Sequence, residues 1–272
     1  MTTYIVTDSR GRRLEHYLRG KPRISRSDIT FLQVICCSIP GATTTKVQVH
    51  LTQHLSRVNP DTIIIAIGIC NLTTKTVLNG KNILLYETNK EKREEIVKGT
   101  CDGLEDIKAV HEDEQRKVLF ATFPPCSLVK YFTSRNPGAQ VPEYLIEEQE
   151  ALIQDVEEIN STIKRINEES NYPTIDWDKY VYHQSVKRRR SGTVRKKIRR
   201  FVDLNLPDGL HFNDKLQDQV FNRLYQQIRS LQNQDQPADL DTSQDTTSGE
   251  ESGWQLKRRV RVKENPETPA SN

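Results

Sequence analysis

Apolar residues fall along this chain in two rhythms, short unbroken runs and longer stripes at spacings of three and four, and the two alternate. The runs are Tyr4-Ile5-Val6, Thr30 to Cys37, Thr62 to Gly68, Lys117 to Phe123 and, shorter, Pro173 to Trp177. Runs of this length predict strands, and a run apolar at nearly every position, such as Ile63-Ile64-Ile65-Ala66-Ile67, predicts a central parallel strand covered on both faces. The stripes predict helices. Val47, Leu51, Leu55 and Val58 mark one from Thr43 to Val58, stopped by Asn59-Pro60-Asp61; Ile96, Leu104, Ile107 and Val110 mark a second from Lys90 to about His111, weakened by Gly99 and Gly103. Leu145, Ile146, Leu152, Ile153, Val156, Ile159, Ile163 and Ile166 mark the longest, Tyr144 to about Glu169, and Leu216, Val220, Leu224 and Ile228 the last, from about Asp214 to Leu231. Residues 72–88 follow neither rhythm, and a polar loop is expected from Pro124-Pro125 to Pro142.

Strands alternating with helices predict an α/β fold in three layers: a mainly parallel five-stranded sheet with helices on both faces. In such sheets the active crevice lies beyond the carboxyl ends of the strands. Ser9, Gly41, the Gly68 to Asn71 turn and the loop before the last helix all fall at that rim.

Composition divides the chain unevenly. Of 272 residues, 35% are hydrophobic and 28% charged, polar for one fully folded domain. Beyond Gln232 the sequence is rich in Asp, Ser, Thr, Gln and Pro, so residues 1–232 are expected to form the domain and 233–272 a disordered polar tail. Net charge is +3, yet Lys187, Arg188, Arg189, Arg190, Arg195, Lys196, Lys197, Arg199 and Arg200 place nine cations in fourteen residues, a basic insertion at 187–200. Such a loop is either a solvated surface or a segment that meets RNA or another polyanion, with Tyr180, Tyr182 and His183 nearby as stacking groups. Five cysteines without a C-x-x-C pair argue against a disulfide framework and for a reduced, intracellular protein, cytoplasmic or nuclear. Met1-Thr2-Thr3 leads directly into the first strand, which leaves no room for a signal segment. No apolar run approaches the length of a membrane span, and no His and Cys spacing suggests zinc, so neither a span, a metal nor a cofactor is expected.

Candidate chemistry sits at the two ends of the domain. Thr7-Asp8-Ser9 follows the first strand and precedes the helix-compatible Arg10 to Glu15, a junction at which Ser9 is exposed beside free backbone N–H groups or at which Asp8 or Ser9 simply caps the helix. Asp208-Gly209-Leu210-His211 shifts that balance. A serine nucleophile needs an imidazole to take its proton and a carboxylate to orient the imidazole, and Asp208 and His211 supply both.

Four blocks in this order, Thr7-Asp8-Ser9, Ile39-Pro40-Gly41-Ala42-Thr43-Thr44, Ile67-Gly68-Ile69-Cys70-Asn71-Leu72 and Asp208-Gly209-Leu210-His211, resemble the SGNH (GDSL-type) hydrolase family, whose relatives include OSK-like and retrotransposon-associated esterase-like domains. The resemblance spans roughly residues 3 to 232. It implies a flavodoxin-like sheet and a serine esterase or acetylhydrolase acting on small acyl esters through an acyl-serine intermediate. Ser9 would be the nucleophile, His211 the base and later acid, and Asp208 the orienting carboxylate. The oxyanion hole would comprise the N–H groups of Ser9 and Gly41 and a third donor from the Cys70-Asn71 pair. Two positions depart from the family pattern. Cys70 stands where the asparagine is usual, with Asn71 one residue further on, and Thr7 replaces the first block's glycine. The other function the resemblance admits is a weak or inactive hydrolase scaffold that binds RNA through the basic segment.

Overall fold

In the computed structural model residues 2–11, 13–14, 33–188 and 194–234 are described. The five expected strands form one parallel sheet: β1 (Thr2–Thr7), β2 (Gln33–Ser38), β3 (Thr62–Ala66), β6 (Lys117–Thr122) and β7 (Ile175–Asp176), in the order β2-β1-β3-β6-β7. Register sets Thr7 beside both Ser38 and Ala66, so three strands end level at one rim. Alternation along each strand feeds two cores. Tyr4, Val6, Ile63, Ile65, Val118 and Phe120 pack on one face, where α1 (Thr44–Val58), α3 (Lys90–His111) and α5 (Tyr144–Glu169) lie. Ile5, Ile64, Ala66 and Ala121 pack on the other against Leu216, Val220, Phe221, Leu224 and Ile228 of α6 (Asp214–Gln234). Helices on both faces of a parallel sheet make the three layers.

Buried amides complete β6. Its neighbour β7 is two residues long, which leaves backbone groups of β6 and the following turn without a strand partner. Asn167 Nδ2 donates to Phe120 O (2.8 Å) while its Oδ1 accepts from Phe120 N (3.0 Å). Asn160 does the same for Phe123, at 2.8 and 2.9 Å. Two asparagines on the buried face of α5 thereby stand in for the absent ladder.

Several expectations are corrected. The polar loop expected to run to Pro142 holds a helix, α4 (Leu128–Arg135), with Ser127 as N-cap and Leu128, Tyr131 and Phe132 buried at i, i+3 and i+4. Residues 72–88, which follow the single turn α2 (Ile69–Leu72), form a hairpin of β4 (Thr73–Leu78) and β5 (Lys81–Tyr86), turned by Asn79-Gly80 with φ of 51° and 73°. Positive φ at both central residues is what Asn-Gly supports in a tight hairpin. The basic insertion is no loop: β8 (Tyr182–Arg188) and β9 (Val194–Phe201) pair antiparallel as a separate two-stranded sheet. Val110 and Ile146, read as core, are exposed, while Val97 and His111 are buried. The tail expected from 233 falls almost wholly outside the described residues.

Candidate active site

The rim carries the candidate chemistry, beginning with Ser9. After β1 the chain makes one 3-10 turn, Ser9–Gly11, in place of the expected immediate α-helix. Asp8 shapes the turn. Its buried carboxylate accepts from Arg10 N (2.9 Å), and its carbonyl accepts from Gly11 N (3.1 Å) and from Ser38 Oγ (2.9 Å). Thr7, in the place of the family's glycine, is accommodated because residue 11 has no side chain: a Cβ on Gly11 would stand 2.0 Å from Thr7 Oγ1. Arg10 is buried beneath, with Nη1 donating to Pro124 O at 2.7 Å. Ile39 N donates to Thr7 O (2.8 Å), tying the second block to the first.

The opposite side of the site is built on α4, the helix that the hydropathy pattern did not announce. Ser127 N donates to Gly209 O (2.7 Å), Ser127 Oγ to Asp203 Oδ2 (2.9 Å), and Lys130 Nζ to Asp203 O (2.8 Å). Gly209 must be glycine on two counts: its φ is +77°, and a Cβ would meet Ser127 O and Tyr131 N at 2.4 Å. Leu210 then enters one core and Phe212 the other. Between these two anchors His211 is fixed across the rim.

Ser9, His211 and Asp208 come together. His211 Nδ1–H donates to Asp208 Oδ2 at 2.7 Å, which assigns the tautomer and leaves Nε2 to accept from Ser9 Oγ at 3.1 Å. Asp208 also accepts at Oδ1 from His211 N (2.7 Å) and Leu210 N (3.0 Å), and Arg135 Nη2 lies 3.8 Å from Oδ2. Partial burial pushes the Asp208 carboxyl up, but the hydrogen bonds from His211 and Leu210 outweigh it and hold the group well below the usual carboxylate range. The carboxylate is therefore ionised at neutral pH.

Of the expected oxyanion groups, the Ser9 and Gly41 N–H groups have no acceptor among the described residues. Gly41 has φ +65°, in the turn closed by Ala42 N donating to Ile39 O (3.1 Å). Asn71 is turned to the helix instead: its Nδ2 donates to Thr44 Oγ1 (3.1 Å) and its Oδ1 accepts from Thr44 N (3.3 Å), fastening the third block to the start of α1. Cys70 is partly buried, and that burial chiefly, with the nearby Asp8 carboxylate, raises its thiol pKa, so it is a neutral thiol and a weak donor. Gly68, φ +151°, lets Phe123 pack where a Cβ would stand 2.1 Å from its ring.

Among the basic residues, Lys187, Arg188, Arg195, Lys196, Lys197, Arg199 and Arg200 lie on the β8–β9 hairpin, whereas Arg189 and Arg190 lie outside the described residues. Of these cations only Arg200 has a described side chain, and it is exposed. Tyr182 does not present a free ring: it packs edge-on against Phe201 at the base of the hairpin, with ring centroids 6.1 Å apart. Among the described residues no group of three potential metal ligands converges, and no helix is long and apolar enough to cross a membrane.

No family model matches the sequence, and no curated protein matches it. Solved structures do. A lipase/acylhydrolase from Enterococcus faecalis superposes with a TM-score of 0.52 at 17% identity, covering 86% of this chain and 97% of that one. A GDSL-like lipase from Bacteroides thetaiotaomicron gives 0.51 at 12% identity over 85% and 88%. A catalytic mutant of an acetylxylan esterase from Geobacillus stearothermophilus gives 0.50 at 11% identity over 84% and 93%. With the strand order, the three layers and these superpositions in hand, the chain has the α/β fold of the SGNH (GDSL-type) hydrolases.

Proposed function

We propose that this protein is a serine ester hydrolase acting on small acyl esters. The observation that carries the reading is the unbroken hydrogen-bonded line from Ser9 Oγ through His211 to Asp208. Ser9 Oγ would bond to the ester carbonyl carbon while its proton passes to His211 Nε2 and the carbonyl π pair becomes an oxyanion facing Ser9 N–H and Gly41 N–H. Collapse expels the alcohol, which leaves with the proton from His211. Water then attacks the acyl-serine by the same route, giving the carboxylic acid and free Ser9. A fluorophosphonate probe should label the wild-type chain at Ser9 and leave Ser9→Ala unlabelled, with His211→Ala labelled far more slowly. Equal labelling of all three sinks the reading.

A second reading concerns the hairpin and is independent of the first. No acidic residue occurs from Lys179 to Val202, and the register sets Lys187 directly opposite Lys196. Like charges facing each other across strands destabilise a ribbon, and a phosphate backbone would relieve that repulsion. On this reading the hairpin binds single-stranded RNA. Affinity for a labelled oligouridylate should fall steeply with salt, and Lys187→Ala with Lys196→Ala and Lys197→Ala should reduce the slope by about two to three. A slope indifferent to the three substitutions ends it.

A further inference from the structure

We propose that Lys46 is the third oxyanion donor of this site, in the position left open by the engagement of Asn71 with Thr44; the inference rests on the ester-hydrolase reading. Lys46 lies in the first turn of α1, a helix with no acidic residue there. A cation is unfavourable at that end of a helix, where the backbone already presents partial positive charge. Its side chain does not extend away into water, however. It turns back past the N-cap so that Nζ donates to Gly41 O at 3.0 Å, and Nζ stands 3.5 Å from where a Cβ on Gly41 would be. The ammonium is thereby held beside Gly41, the residue whose N–H is proposed to face the developing charge.

Two further observations point the same way. The side-chain amide of Asn71 is used at both ends by Thr44, and withdrawing it would leave Thr44 N, at the start of α1, without that acceptor. Cys70 offers only a neutral thiol, and the positive charges of Arg10, Lys75 and Lys46 all reach it, so the region of the missing amide lies within the field of Lys46. Gly41 carries no side chain that would screen the approach. As the carbonyl π pair moves onto oxygen, Lys46 releases Gly41 O and donates an N–H to the oxyanion. On collapse it returns. No proton is transferred, and Lys46 stays an ammonium throughout.

The test compares Lys46→Met, Lys46→Gln and Lys46→Arg in the full chain, using 4-nitrophenyl acetate at fixed ionic strength, with thermal melts as a check on folding. Loss of an oxyanion donor typically costs about 10²–10³ in turnover; for an exposed ammonium, partly screened by solvent, about tenfold is expected. Met and Gln should lower kcat by about that factor with KM changed less than about twofold, and Arg should restore most of it. Wild-type kcat in the Met variant, or Arg failing as badly as Met with melts unchanged, overturns the assignment while fluorophosphonate labelling of wild-type Ser9 leaves the hydrolase reading standing. Absence of wild-type labelling overturns both.

Discussion

Asp208 is subject to opposing influences, and their balance decides how His211 behaves. Burial favours the neutral acid, whereas one side-chain and two backbone N–H donors favour the anion and prevail. The folded pKa is depressed, so this group's contribution to stability is complete above its ordinary value near 4 and is lost as pH falls below it toward the folded value. An Asp208→Asn variant should melt below wild type at pH 6, with the gap closing as the pH is lowered through about 4 to 2. Its amide also presents a donor to Nδ1 and so favours the tautomer in which Nε2 carries the proton. We expect kcat to fall by as much as about 10⁴ at pH 7 with KM little changed, measured on the same ester. Glycines 11 and 209 belong to this scale as well. Each lets another group occupy the space of its missing Cβ, Thr7 in one case and the backbone of α4 in the other.

At the scale of elements, the sequence announced those whose patterning is long and one-sided. β3 was legible because a strand buried on both faces has no polar positions, and α1 and α5 because their stripes are regular over four turns or more. α4 was not, since eight residues give only Leu128, Tyr131 and Phe132 as a signal, and the two prolines before it suggested a loop. Its cap, Ser127 followed by an apolar run, was the available clue. The β4–β5 hairpin was missed: Asn79-Gly80 was the available signal, but the exposed, mostly polar β4 hid the alternation. The 187–200 segment reads as loop because charges dominate it and mask the antiparallel pairing that its backbone makes. Of the candidate site, the meeting of Ser9, Asp208 and His211 was legible from order, spacing and the family resemblance. The orientation of Asn71 and the return of Lys46 were not, because both depend on where the start of α1 meets the third block. The asparagines of α5 give the element-scale prediction. Asn160→Ala leaves Phe123 N–H and C=O buried and unpaired at roughly 1–3 kcal/mol for each group, so urea unfolding should show a loss of about 2–6 kcal/mol at nearly unchanged m.

Among the described residues the domain is built on a parallel sheet whose order places the first strand beside its centre and the helix Asp214–Gln234 across one face. Parallel pairing of β1 with both β2 and β3 means that Ser9 is seated only after segments far along the chain have docked. The His211 loop comes later still, and it needs both cores to receive Leu210 and Phe212. Ser9 and His211 lie 202 positions apart. During synthesis at about 5–20 residues per second, that separation leaves the nascent hydroxyl without its imidazole partner for roughly 10–40 seconds. On the ester-hydrolase reading it is an ordinary alcohol throughout that interval, and its reactivity towards acylating agents switches on only with the finished fold.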